Sequence, residues 1–171
     1  MFVISSDFDV PPFSLPNLGS NSSFADFVEE QEEEVLKKLL GIAFYDLLIA
    51  GITANTTKWL LIKNGSGYVY NEVSYEWLGL KKMLIPYIWY MWVKETLSDS
   101  LTGVGIVAPE SENGSVINPG VKLAAAYNKF SKLAGGRYCI ENSLYGFLYK
   151  NATDYVGYSY TPQGTINTFN L

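Results

Sequence analysis

The chain has 171 residues, of which 48% are hydrophobic, 15% aromatic and only 17% charged, with a net charge of −5 and a pI near 4.7. That length suits one domain able to bury roughly 70% of its unfolded surface, and the sparse charge, against a typical ~25%, points to surface covered by a partner or another copy. An acidic chain with 12 thinly spread Lys and Arg residues does not suit an autonomous nucleic-acid binder, whose affinity comes from neutralising phosphates.

Residues 1–20 contain Pro11, Pro12 and Pro16, which exclude a helix there. Phe2, Val3, Phe8, Val10, Phe13, Leu15 and Leu18 make this segment too apolar for a solvated tail. It is expected to be an extended arm docked on the body or on a neighbour. A helix is expected from about Ser23, with Asp26 as a partial capping signal. Phe24, Val28, Gln31, Val35 and Leu39 form its apolar stripe. Glu29, Glu30, Glu32, Glu33 and Glu34 cover its other faces, with Glu33–Lys37 and Glu34–Lys38 as favourable pairs one turn apart. Gly41 ends or bends this helix, and a second apolar helix closes at Gly51. A loop, a short helix around Trp59 and a Gly-rich turn follow.

A long helix is expected over about Tyr75–Leu97. Eleven residues, Met83 to Val93, carry no charge in this stretch. As a helix they reach ~17 Å, short of the ~30 Å bilayer core. They leave no polar face, so the helix must be covered nearly all round. Pro86 should kink it. Residues 101–120 then change character. Thr102, Val104 and Ile106 alternate with glycines, and Asn113-Gly114 signals a hairpin turn before Val116-Ile117. A β-hairpin arm is expected here between two helices. Further helices are expected at about Val121–Leu133 and Tyr138–Tyr149, separated by Gly135-Gly136. The tail, 151–171, is polar and aromatic.

Little in the chain names a reaction. It contains no histidine, which removes the commonest general base and metal ligand and excludes a Ser-His-Asp triad or a Cys-His pair. Cys139 is the single cysteine; no intrachain disulfide is possible, and on a helix it reads as a small buried hydrophobe. Gly103-x-Gly105 lacks the rest of a nucleotide-binding pattern. Five glycosylation sequons, at Asn21, Asn55, Asn64, Asn113 and Asn151, read as chance, since no signal peptide is visible. Glu29, Glu30, Glu33 and Glu34 are candidates for an acidic contact face or pore lining. Tyr155, Tyr158 and Tyr160 of the tail are candidates for a sugar-stacking platform.

The order of "LLGIAFYDLL", "YEWLGLKKMLIPYIWYMWV", "TGVGIVAPESENGSV", "KLAAAYNKF" and "INTFNL" resembles head–tail connector (neck adaptor) proteins of phages and prophages of Bacteroides-type bacteria. The resemblance spans about residues 15–171. It implies a mostly helical, non-enzymatic adaptor without cofactors, copies of which form a ring beneath the portal while DNA passes through. Its expected partners are itself, the portal and tail or neck proteins. The matching subunit-interface candidates are Val104, Ile106, Val107, Val116 and Ile117 of the arm, with Phe169 and Leu171 at the end.

The expectation is therefore a mainly α protein: a bundle of four to six helices, one β-hairpin excursion and extended termini in a single domain. Its expected role is virion structural protein, assembled in the bacterial cytoplasm, with no membrane segment. The alternative is a host-encoded binding module that holds glycans through the tail tyrosines.

Overall fold

The computed structural model describes residues 1–15, 22–100 and 119–166. Among them six α-helices and one two-stranded antiparallel hairpin form a mainly helical fold, as the sequence predicts. The helices are α1 (Ser22–Leu40), α2 (Ile42–Thr53), α3 (Thr57–Asn64), α4 (Leu80–Ser100), α5 (Pro119–Ala134) and α6 (Leu144–Lys150). The strands are β1 (Ser66–Tyr70) and β2 (Val73–Trp77).

Helix α1 folds as its periodicity dictates. Phe24, Val28, Gln31, Val35 and Leu39 are all buried, joined by Leu36 and Leu40. Gly41, at φ 82°, separates α1 from α2. Helix α4 lies at the centre and packs against α1, α3, α5 and the N-terminal segment. Every residue from Met83 to Val93 is buried or half-buried, so the described part of one subunit covers the uncharged run in part, Ile85, Tyr87, Trp89, Met91, Trp92 and Val93 staying half-buried. Trp92 meets Phe24 of α1 edge-on at 4.8 Å, and Tyr87 meets Phe130 of α5 at 4.7 Å. Pro86 sits inside α4 without ending it. No described helix is long and apolar enough to cross a membrane.

Residues 1–15 dock on the body, as expected, but they are not extended throughout. Ser5–Phe8 form a 3-10 turn, which drives Val3 and Phe8 into the core. Phe8 lies edge-on to Phe24 at 5.3 Å. Phe13 approaches Trp89 at 5.9 Å, and the Trp89 indole N–H donates to the Ser14 carbonyl at 3.4 Å.

The described hairpin is not the one expected at 101–120. Residues 101–118 lie outside the described part, while Pro119 and Gly120 already belong to α5. The observed hairpin is β1–β2, within the stretch read as a turn and the start of the long helix. That helix therefore begins at Leu80, after Tyr75 and Trp77 have been taken into β2. The physical reason is alternation: Tyr68 pairs with Tyr75 and Ser66 with Trp77, which puts the large rings on one side. Trp77 is 1% exposed, and its indole N–H donates to the Ile62 carbonyl at 2.8 Å. Two glycines close the hairpin's base. A Cβ on Gly65 would lie 2.4 Å from the Trp77 carbonyl oxygen, and one on Gly79 2.7 Å from that of Lys63.

The helix expected at 138–149 is shorter. A 3-10 turn at Gly136–Tyr138 and an extended link precede α6. Ser143 caps α6, its hydroxyl accepting from the Gly146 N–H at 3.0 Å. Beyond α6 the chain returns to the end of α1. There the N–H groups of Ser159 and Thr161 donate to the Leu40 and Leu39 carbonyls, each at 3.0 Å, satisfying acceptors that a helix end leaves open.

Candidate interaction site

The link between α5 and α6 carries three non-glycine residues in the left-handed region: Arg137 (φ 56°), Tyr138 (φ 60°) and Asn142 (φ 48°). Each such conformation costs about 1–2 kcal/mol. Surrounding contacts hold it. The Tyr68 hydroxyl donates to the Ile140 carbonyl and accepts the Ser143 N–H at 3.2 Å. The Ser143 hydroxyl donates to the Cys139 carbonyl at 2.5 Å, and the Asn142 carboxamide accepts the Glu76 N–H at 2.8 Å. Gly146 makes the close approach possible, because a Cβ there would lie 1.9 Å from the Ile140 oxygen and 2.6 Å from the Tyr68 hydroxyl. Backbone strain of this kind persists only where the surroundings over-determine it, and such places are often functional.

This link presents an aromatic face. Tyr138 is 55% exposed and Tyr149 48%. Ring centroids run from Tyr138 to Tyr145 at 5.3 Å, to Tyr149 at 5.7 Å, and on to Tyr70 of β1 at 6.2 Å. Tyr160 forms the floor, 4.9 Å from Tyr145, and its own hydroxyl donates to the Ala134 carbonyl. Burial pushes the Tyr145 phenol above its ordinary value, with the neighbouring Tyr149, Tyr138 and Tyr70 adding to the effect. The hydroxyls of Tyr70, Tyr138, Tyr145 and Tyr149, and the guanidinium of Arg137, make no hydrogen bond to any described residue. Arg137 and Lys150, exposed, adjoin Tyr138 and Tyr149 in the chain, with Glu141 exposed in the same link. The face thus combines rigid apolar rings with unspent donors.

A second exposed feature is the acidic stripe of α1. Asp26, Glu29, Glu30, Glu33 and Glu34, with Lys37, form one open face of α1 on the side away from the core. Glu33 pairs with Lys37 as expected; Glu29, Glu30 and Glu34 have no ion-pair partner among the described residues. Glu32 departs from the expected solvated face. It is 3% exposed and sits one turn from both Val28 and Leu36, at the edge of the apolar stripe. Its carboxylate accepts the Phe2 N–H at 2.8 and 3.0 Å and the Val3 N–H at 2.6 Å. Burial pushes its pKa up, partly offset by those two N–H groups. No cluster of three His, Cys, Asp or Glu residues able to hold a metal exists among the described residues.

The other predicted site residues fare differently. Val104, Ile106, Val107, Val116, Ile117, Phe169 and Leu171 lie outside the described residues. Of the tail tyrosines Tyr155, Tyr158 and Tyr160, only Tyr160 joins an aromatic face; Tyr155 and Tyr158 pack into the body. Tyr155 is 2% exposed, its hydroxyl donates to the Lys58 carbonyl at 2.6 Å, and burial pushes its pKa up to about 12. Tyr158 packs on Phe44 at 5.8 Å. The exposed tyrosines are instead Tyr138 of the α5–α6 link and Tyr149 of α6, with half-buried Tyr70 of β1 beside them, three segments that sequence spacing does not connect. Cys139 lies in that link, half-buried, rather than on a helix.

No family model, no curated protein and no solved structure matches the chain.

Proposed function

We propose that the chain is a virion structural protein: a non-enzymatic subunit of a ring-forming head–tail connector that docks below the portal. It is assembled in the bacterial cytoplasm, meets neck or tail proteins on its other side, and lets DNA pass without specific binding. The observation that carries the reading is the tyrosine face. Tyrosine and arginine are the residues most enriched where protein surfaces meet and where binding energy concentrates. Here Tyr138, Tyr149 and Arg137 are exposed and make no hydrogen bond to a described residue, and they adjoin a hydrogen-bonded scaffold that keeps their shape before any partner arrives. Preorganisation of this kind lowers the cost of association. The resemblance to phage connectors supplies the class of assembly. In such a ring an acidic stripe serves either as a channel wall that DNA slides past or as a contact for a neighbour.

Size-exclusion chromatography with light scattering, and negative-stain images, test the reading on the protein alone and mixed with its portal. Rings of many copies are expected in at least one setting. A strictly monomeric species in both overturns it.

A further inference from the structure

We infer that the tyrosine face of one copy receives the acidic stripe of α1 from the next copy, in a head-to-tail contact. This inference rests on the assembly reading above and deepens it by naming the two surfaces.

Complementarity of unmet groups carries it. On one side, the hydroxyls of Tyr138, Tyr145 and Tyr149, and the guanidinium of Arg137, next to Tyr138 in the chain, are donors without an acceptor among the described residues. On the other, Glu29, Glu30 and Glu34 are exposed acceptors without a cationic partner there. A carboxylate accepts from a guanidinium and from phenols in short, charge-assisted bonds. Arg137 is the only arginine in the chain, and its planar fork suits a carboxylate better than lysine does. Lys150, next to Tyr149 in the chain, is a second exposed cation, while the exposed Glu141 opposes it. The pairing therefore relies on Arg137 and the hydroxyls rather than on a strong general field.

The geometry of α1 suits the partner role. Its apolar residues, and Glu32, turn to the core, leaving Asp26, Glu29, Glu30, Glu33 and Glu34 on the opposite side as one stripe. The stripe spans a little over two helical turns, about 12 Å, so it fits within the path of rings from Tyr138 through Tyr145 and Tyr149 to Tyr70. Two unlike faces on one chain let each copy give one and receive one, the arrangement that closes into rings.

Charge reversal in the full-length chain tests the contact, with circular dichroism confirming that each variant folds. Arg137→Glu alone, or Glu30→Lys with Glu34→Lys, places like charges together and should weaken assembly on the order of tenfold or more. The chain carrying all three changes again sets opposite charges between position 137 and the two reversed positions of α1, and should regain assembly. If the wild-type chain forms rings and neither reversal changes their mass, the contact is overturned and the assembly reading stands. If the reversals break the rings and the triple change fails to restore them, Arg137 has another partner and the inference also falls. A wild-type chain that stays monomeric with and without portal removes the assembly reading itself.

Discussion

The carboxylate of Glu32, in the middle of α1, accepts the backbone N–H of Val3 at 2.6 Å inside the protein. One side chain thereby fixes the path of the N-terminal segment that carries Val3 and Phe8 into the core. Replacing Glu32 with alanine leaves the N–H groups of Phe2 and Val3 without an acceptor. Leaving a buried donor unsatisfied costs about 1–3 kcal/mol. Urea unfolding measures that loss, and hydrogen exchange should show the Val3 amide exposed first.

The same residue sets a pH dependence. Burial raises the Glu32 pKa in the folded state above its ordinary 4.5. The folded protein then holds this proton more tightly than the unfolded chain does. Its contribution is therefore most favourable below about 4.5 and declines as pH rises through the raised folded value. Glu32→Gln cannot titrate. Relative to that variant, the wild-type chain should lose melting temperature across this window; parallel curves would show that Glu32 is ionised with ease.

Tyr155 governs the alkaline side. Its phenol is pushed up to about 12 in the folded state, from 10.0. The unfolded chain gives up this proton first, so stability falls as pH rises from about 10 to about 12. Tyr155→Phe removes the bond to the Lys58 carbonyl and should flatten the slope in that range, at a cost of about 1 kcal/mol at neutral pH. Thermal melts between neutral pH and the alkaline limit read both effects.

The scaffold under the tyrosine face depends on one hydroxyl. Tyr68 donates to the Ile140 carbonyl and accepts from the Ser143 N–H. Tyr68→Phe should cost about 1–3 kcal/mol. It should also accelerate exchange of the Ser143 amide more than that of amides in α1. Gly146→Ala strikes the same place sterically, since its Cβ would sit 1.9 Å from the Ile140 oxygen.

Two tryptophans separate core from margin. Trp77 is 1% exposed and hydrogen-bonded to Ile62, so Trp77→Ala should cost about 3–5 kcal/mol. Trp89 is half-buried, against Phe13 and Ser14, and Trp89→Ala should cost about half as much. Equal losses in denaturant titrations would contradict this ordering.

The helical elements were legible because their signals are local. The 3.6-residue recurrence of Phe24, Val28, Val35 and Leu39 fixes which side of α1 is buried, whatever lies opposite. The β1–β2 hairpin was harder to see. Its alternation, Tyr68 and Tyr70 then Val73, Tyr75 and Trp77, is present, but the turn uses Asn71 and Glu72 at φ 49° and 65°. A glutamate in that position is not the Asn-Gly signal that marks such turns. That signal occurs instead at Asn113-Gly114, outside the described residues.

By itself the sequence determined that the chain is mainly helical, that the run from Met83 to Val93 is covered rather than membrane-spanning, and that α1 shows an acidic side to solvent. Each follows from composition or period along one segment. Only the tertiary structure decided that Glu32 is the carboxylate turned inward, because a backbone N–H arriving from Val3 defines its site. Only the tertiary structure, too, placed Tyr70, Tyr138, Tyr145 and Tyr149 on one face while it buried Tyr155. These residues come from separate segments, and their exposure depends on what packs over them, which no local period records.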